Sequence, residues 1–314
     1  VWSAFAAPLE MSGMSLPITF VVLVAAVLHA SWNALLRAGS DRLWSMTVMC
    51  AAIGIACAVL APFVPFPLWA SWPYAILSAF IHVGYSLFLV RTYRTGDLGQ
   101  TYPISRGSSP VLVTLGAAMF AGELPGTAAL VGVALVSGGI VSLAFQGRGV
   151  GSAGLLSALG TGCLIGAYSV TDGIGGRLSG SPVGYTVWMC LLWGVMTPPV
   201  YLALRGRRDL LRSPREMLVS AGGGLVSLVA YGIVIVAMSL GPMGPVSALR
   251  ETSVVFAAVI GRVFLHERLT AFRIVACIIV ALGAICLGHP GDQSTGRKSA
   301  PSRPLAPAMS TLRR

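Results

Sequence analysis

The feature that most constrains this chain is a succession of apolar runs. Ten stretches of roughly 20 residues follow one another at 16–37, 43–66, 72–91, 101–121, 126–146, 151–172, 182–204, 217–239, 243–265 and 269–288. Each is long enough to cross the hydrocarbon core of a bilayer as a helix. The connections are short, and several carry Pro or Gly ("PFVPFPLW", "GELPG", "SLGPMG"), which leaves no room for a soluble domain. Only 10% of the 314 residues are charged, against about 25% in a soluble domain. The expected fold class is an all-α membrane protein with ten transmembrane helices. Residues 1–15 form an N-terminal extension, and the Ser/Pro/Arg-rich tail 289–314 has the composition of disorder. No Lys or Arg precedes the first run, so it reads as span 1 and not as a leader.

A net charge of +11 would suit nucleic acid, but the bases sit in short loops between spans, which is a topology signal. The odd-numbered loops hold twelve arginines, the even loops and the N-terminus only Arg177, and the tail five more bases. Positive-inside reasoning puts the odd loops, including "RGRRDLLRSPR", in the cytoplasm and both termini outside. All six cysteines fall within spans without CxxC spacing and read as packing residues.

The chain is also a repeat. Shifted by 144 residues, "PISRGSSPVLVTLGAAMFAGELP" (103–125) lies over "SALRETSVVFAAVIGRVFLHERL" (247–269), so that Arg106 meets Arg250, Glu123 meets Glu267 and Gly139 meets Gly283. A shift of 139 lays "YSVTD" over "HASWN", pairing Asp172 with Asn33. The units are 16–146 and 151–288, with five spans each. Five is odd, so the second unit enters the membrane from the opposite face, giving two inverted five-helix repeats with a site expected between them.

Polar residues recur inside the spans at helical spacing: His29, Trp32 and Asn33 in span 1; His82, Tyr85 and Ser86 in span 3; Tyr102, Ser105, Arg106 and Ser109 in span 4; Tyr168, Thr171 and Asp172 in span 6; Ser227 and Tyr231 in span 8; Ser247, Arg250 and Glu251 in span 9. Spans 2, 5, 7 and 10 lack such stripes. The expectation is a central cavity enclosed by the six polar-faced spans, which would hold a small-molecule substrate. A buried arginine costs at least ~2.5–3.5 kcal/mol on insertion scales, and here the cost arises twice at equivalent places. Pro103, Pro242 and Pro245 suggest that each arginine sits just inside a helix N-terminus, the wrong end for a cation. Glu251 follows Arg250 directly and should diverge from it, whereas Arg106 is followed by Gly107. Arg106 is therefore expected to be an uncompensated cation that reads an anion with help from its helix N-terminus, while Asn33, Trp32 and Tyr85 hold the rest of the molecule. Asp172, five residues before Arg177, is either an interfacial ion-pair member or a protonatable group. Glu123 and Glu267 read as structural.

"HASWNALLR", "GDLGQTYPISRGSSP" and "ALRETSVVFAAVIGRVFLHERLT" resemble the drug/metabolite transporter superfamily, specifically its ten-helix members with two EamA-type repeats, over about 16–288. The resemblance implies a bacterial inner-membrane, multi-pass secondary carrier without ATP. It would work by alternating access, often outward, with a site lined by spans 1, 3, 4, 6, 8 and 9. It also implies cytoplasmic termini, in conflict with the loop count. An amino acid or other carboxylate metabolite is the leading substrate; a sugar phosphate, nucleotide sugar or drug is the alternative. A membrane-embedded enzyme acting on lipid-linked substrates is a weaker one, since it would cluster its acid/base groups at one interface while Arg106 and Arg250 should lie on opposite sides of the midplane. No HExxH, GxSxG or P-loop occurs, and "GVGSAG" (149–154) lacks the strand that a dinucleotide fingerprint needs. No enzyme activity, cofactor, metal or nucleic acid is expected. The lipid bilayer is the expected environment, and the fold is compatible with proton coupling and with a homodimer.

Overall fold

The computed structural model describes residues 14–38, 41–95, 98–146, 151–206, 212–264 and 270–288. Glu267 and residues 207–211 lie outside the described residues, as do the terminal segments. In chain order the helices are α1 (Leu16–Ala38), α2 (Arg42–Leu60), α3 (Trp72–Thr95), α4 (Leu98–Ala121), α5 (Thr127–Ser142), α6 (Ser152–Leu178), α7 (Pro182–Arg205), α8 (Pro214–Leu240), α9 (Met243–Glu251), α10 (Ser253–Phe264) and α11 (Ala271–Gly288). Helices α9 and α10 are the two halves of the ninth span.

The helix starts follow capping residues in the short connections. Asp41 accepts from the backbone N–H groups of Leu43 and Trp44 at 3.1 and 3.2 Å and so caps α2. Ser181 accepts from Gly184 at 3.1 Å with Pro182 in the first turn of α7. Ser213 accepts from the N–H of Glu216 in the first turn of α8. Each cap satisfies a donor that the helix itself cannot. At the other end of α7, Gly206 adopts φ 69°, a left-handed conformation open to glycine, and its N–H closes on the Leu202 carbonyl.

Among the described residues, nine helical stretches are long and apolar enough to cross a membrane, with α9 and α10 together contributing one of them. The remaining long helix, α4, has 24 residues and therefore spans about 36 Å. It falls outside that set because Arg106 and its Ser, Thr, Gly and Pro residues lower its hydropathy, and α6, α5 and α9 pack around it. Large apolar side chains such as Phe20, Ile55, Phe80, Leu115, Leu156, Leu218 and Ile285 point outward, while polar ones are buried. That inside-out distribution suits a lipid solvent.

The packing has the symmetry expected of inverted repeats. Advancing each span by five maps the contact of α3 with α6 onto that of α8 with α1, and the contact of α4 with α6 onto that of α9 and α10 with α1. Helices α2 and α7, and likewise α5 and α11, pack directly on their own counterparts. The α5–α11 crossing repeats the relation atom by atom. A Cβ on Gly139 would lie 3.3 Å from the Ala276 carbonyl, and one on Gly283 would lie 3.0 Å from that of Gly132. Where α6 crosses α4, the Gly162–Gly166 pair brings the backbones together: a Cβ there would meet Ser108 Oγ at 2.2 Å or Leu112 Cβ at 2.9 Å.

Both ends of the bundle are tied by ions. On the face that holds Leu16 and Gly288, Glu123 accepts from Arg177 and, at 2.9 Å, from the N–H of Met243. Arg177 also donates to the carbonyls of Met238 and Gly241 at 3.1 and 2.7 Å. On the opposite face Asp41 meets Arg212 at 3.2 Å and Arg205 at 3.9 Å. Arg177 thus pairs with Glu123 across the repeats, and the ion pair with Asp172 that the sequence left open does not form.

Candidate functional site

The site begins at a break in the ninth span. Thr252 turns back on Leu249, its N–H and its hydroxyl reaching that carbonyl at 3.2 and 2.7 Å, and Val255 N–H bonds the Thr252 carbonyl at 2.8 Å. These three-residue closures stop α9 at Glu251 and restart the chain as α10. Arg250 and Glu251 are the last two residues of α9, with Thr252 as its C-cap. Glu251 Oε1 accepts from Arg250 Nε and Nη2 at 3.1 and 2.8 Å. The expectation that neighbours in sequence would diverge fails: these two long side chains meet within the last turn of α9.

The same oxygen accepts from Arg106 Nη1 and Ser109 Oγ of α4, both at 3.4 Å. Arg106 is 2% exposed, Arg250 1% and Glu251 0%. Two guanidiniums, one from each repeat, therefore share one carboxylate and leave a local charge of +1. Arg106 is not an uncompensated cation, and the arginines meet instead of lying on opposite sides of the midplane. Tyr102 completes the α4 contribution: its hydroxyl accepts from Arg106 Nε at 3.3 Å, and its ring lies 5.4 Å from the guanidinium carbon.

Neither arginine occupies a helix N-terminus. Arg106 lies eight residues into α4, about 12 Å from its start, and Arg250 sits in the last turn of α9, where the helix dipole favours a cation. Pro242 and Pro245 do open α9, whereas Pro103 and Pro110 lie inside α4. Pro110 has no N–H for the Arg106 carbonyl four residues back, and the Ser109 hydroxyl takes that carbonyl at 3.0 Å.

Beside this cluster is a cavity of about 30 Å³ lined by His29 and Trp32 of α1, Met46, Met49, Cys50 and Ile53 of α2, His82 and Tyr85 of α3, Tyr168 of α6, Trp193 of α7, Ser227 and Tyr231 of α8, and Arg250. That volume holds about one water, so anything larger fits only after helices part. Seven of the thirteen candidates from the sequence line it: His29, Trp32, His82, Tyr85, Tyr168, Tyr231 and Arg250. Arg106, Tyr102, Ser109 and Glu251 stand behind Arg250. Asn33 donates to the His29 carbonyl at 2.9 Å within its own helix. The enclosure by six polar-faced spans also needs correction. Helices α2 and α7 supply walls, and α4 contributes none of the lining residues.

The walls are aromatic. The His82 ring stacks on Tyr168 with centroids 4.1 Å apart and leans on Trp193 at 4.8 Å, while Tyr85 and Tyr231 meet Tyr168 edge-on at 5.4 and 5.6 Å. Several buried polar atoms have no hydrogen-bond partner among the described residues: Trp193 Nε1, His29 Nε2, Arg106 Nη2 and Glu251 Oε2. The Trp32 indole donates to His29 Nδ1 at 3.2 Å, which places the imidazole proton on Nε2 as a donor. Three donors and one acceptor are thus left unpaired around a positively charged wall. Sequence reasoning missed Trp193 and the Met46, Met49, Cys50 and Ile53 wall because a span without a polar stripe reads as packing. The tryptophans of span 7, Trp188 and Trp193, were the available signal.

Asp172 of α6 is 0% exposed and binds tyrosines. Its Oδ1 accepts from Tyr185 of α7 at 2.9 Å and its Oδ2 from Tyr231 of α8. It lies behind Tyr231 and outside the cavity lining.

Comparison with known proteins separates the halves. One crystal structure is similar over 86% of this chain and 94% of its own, at 18% identity and a TM-score of 0.66, a likeness that carries the fold of both repeats and nothing beyond it. No curated protein matches significantly. The family described as "EamA-like transporter family" matches residues 152–288. The second repeat, which supplies Arg250, Glu251, Asp172 and Tyr231, therefore carries the EamA-like match that the sequence motifs anticipated, consistent with the drug/metabolite transporter superfamily and with a multi-pass membrane protein.

Proposed function

We propose that this protein is a secondary carrier that moves a small carboxylate-bearing metabolite, an amino acid or a related acid, across the bacterial inner membrane by alternating access, in the outward direction that the resemblance implies. The observation that carries the reading is the Arg106–Glu251–Arg250 cluster. One arginine from each inverted repeat is buried on a shared carboxylate, leaving a charge of +1 against an occluded aromatic cavity. A carboxylate entering beside Arg250 would balance that charge and supply acceptors for Trp193 Nε1, His29 Nε2 and Arg106 Nη2. Because the cluster joins the repeats, an anion bound there is in contact with both halves that must rock. The ion pairs at the two faces are the contacts that would open in turn, Glu123–Arg177 on one side and Asp41–Arg212 on the other.

The test is uptake into proteoliposomes without nucleotide, using radiolabelled glutamate, alanine, pyruvate and glucose 6-phosphate. Saturable movement of a carboxylate supports the reading. Movement of glucose 6-phosphate alone would favour the sugar-phosphate alternative, and chemical conversion of a lipid-linked substrate in place of movement would favour an enzyme.

A further inference from the structure

A second buried carboxylate, Asp172, lies outside the arginine cluster. Among the described residues it has no cation within ion-pairing distance and is held by hydroxyl groups. The side chains around it come from every element packed on α6. Helix α3 brings Ser78, whose hydroxyl faces the carboxylate, and His82, whose Nδ1 lies 3.1 Å from that hydroxyl. Helix α7 brings Tyr185 and Cys190, α8 brings Tyr231, and α6 itself brings Tyr168. Arg106 of α4 and Arg250 and Glu251 of α9 face the intervening Tyr168. The turn before α3, Trp69–Ser71, adds no titratable side chain.

One feature gives Asp172 a route to the cavity: Tyr231 lines the cavity and also donates to Asp172. Its phenol hydroxyl can both give and take a proton.

The charges then sum in an informative way. With both histidines neutral and Asp172 ionised behind Tyr231, the +1 of the Arg106–Glu251–Arg250 cluster and the −1 of Asp172 total zero. Adding a monoanion takes the total to −1 in a low-dielectric interior, and adding one proton as well restores zero. We propose that Asp172 is a proton-carrying site and that each monoanionic substrate crosses together with one proton bound there. This rests on the anion-carrier reading above. On one face a proton leaves water and bonds to a carboxylate oxygen of Asp172, and that oxygen turns from acceptor to donor. Tyr231 or Tyr185 must then accept where it had donated, so protonation changes the ties between α6 and the two helices beside it. On the other face the O–H bond breaks and the proton returns to water. A zwitterion adds no net charge and needs no proton.

The experiment has two arms. Infrared titration of the protein in nanodiscs should show a carboxylic-acid C=O band that grows on acidification, is absent in Asp172→Asn and is displaced in Asp172→Glu. A band identical in Asp172→Asn and wild type overturns the site. If Asp172→Asn does not fold, an unchanged band in Asp172→Glu overturns it equally. In proteoliposomes, an acid-outside gradient should raise glutamate accumulation several-fold while leaving alanine unaffected. Asp172→Asn should lose that response yet still exchange glutamate for glutamate, and Asp172→Glu should keep it. A gradient response retained in Asp172→Asn, or lost only in His82→Gln, overturns the coupling. If the wild type moves none of the four solutes, the carrier reading fails and the coupling with it, while the infrared arm still decides whether Asp172 binds a proton.

Discussion

Helices α4 and α9–α10 hold equivalent places in the two repeats, yet one is continuous and the other is broken. α4 runs unbroken from Leu98 to Ala121 through two prolines, whereas its counterpart stops at Glu251 and restarts at Ser253. The residue after each arginine differs accordingly. A Cβ at Gly107 would lie 2.5 Å from Val141 Cγ2 and 2.9 Å from the Ser137 carbonyl of α5, so in an unbroken helix this position faces a neighbouring backbone. At the equivalent position, Glu251 turns inward at the end of α9 and meets both arginines. The two repeats supply equal cations, and only one supplies the anion. The proposed anion site at the repeat interface rests on that inequality within a near-symmetric frame.

The largest effect should come from removing the shared carboxylate. Glu251→Gln leaves two buried guanidiniums without a counter-charge, which costs about 3–5 kcal/mol for a buried pair. Thermal unfolding in detergent should drop sharply, and adding Arg106→Gln should recover part of the loss. An unchanged unfolding temperature would mean that the carboxylate does not hold the two helices together.

A smaller effect is expected on the continuous helix. Gly107→Ala must push Val141 or shift α5, an overpacking cost of about 1–3 kcal/mol visible in the same unfolding assay. Indifference would show that α4 can rotate, and the contrast between the two helices would weaken.

The smallest concerns the break itself. Thr252→Val removes the hydroxyl bond to the Leu249 carbonyl and should cost about 0.5–1.5 kcal/mol. Transport should suffer more than stability if the break positions Glu251, and equally little if it does not.

This contrast also marks what the sequence could disclose. The ten spans, the inversion and the pairing of Arg106 with Arg250 were legible because they rest on apolar run length and matched spacing. The partner of the arginines was not. Spacing treats Glu251 as an i+1 neighbour in a regular helix, and nothing local announces that Thr252 ends that helix. Pro103 misled in a related way, since it suggested a helix start where α4 had already begun at Leu98, whereas Pro242 and Pro245 do mark the start of α9. The aromatic stripes placed His29, Trp32, His82, Tyr85, Tyr168 and Tyr231 on one cavity, but Trp193 and the α2 wall needed three dimensions. Their spans carry no polar periodicity, so their part in the lining depends on how α2 and α7 pack.

The central claim is that the two arginines together read an anion, and Arg106 offers the most direct measurement because its loss leaves Glu251 paired with Arg250. Glutamate affinity in proteoliposomes should be compared for wild type, Arg106→Lys and Arg106→Gln, each with its unfolding temperature. Losing a charge-assisted hydrogen bond costs about 1.5–3 kcal/mol, so Arg106→Gln should weaken affinity by roughly ten- to a hundredfold while remaining folded. Arg106→Lys keeps the charge without the planar fork and should fall between. Full affinity in a folded Arg106→Gln protein would contradict the account, and loss of the fold with no folded fraction to assay would return Arg106 to a purely structural role.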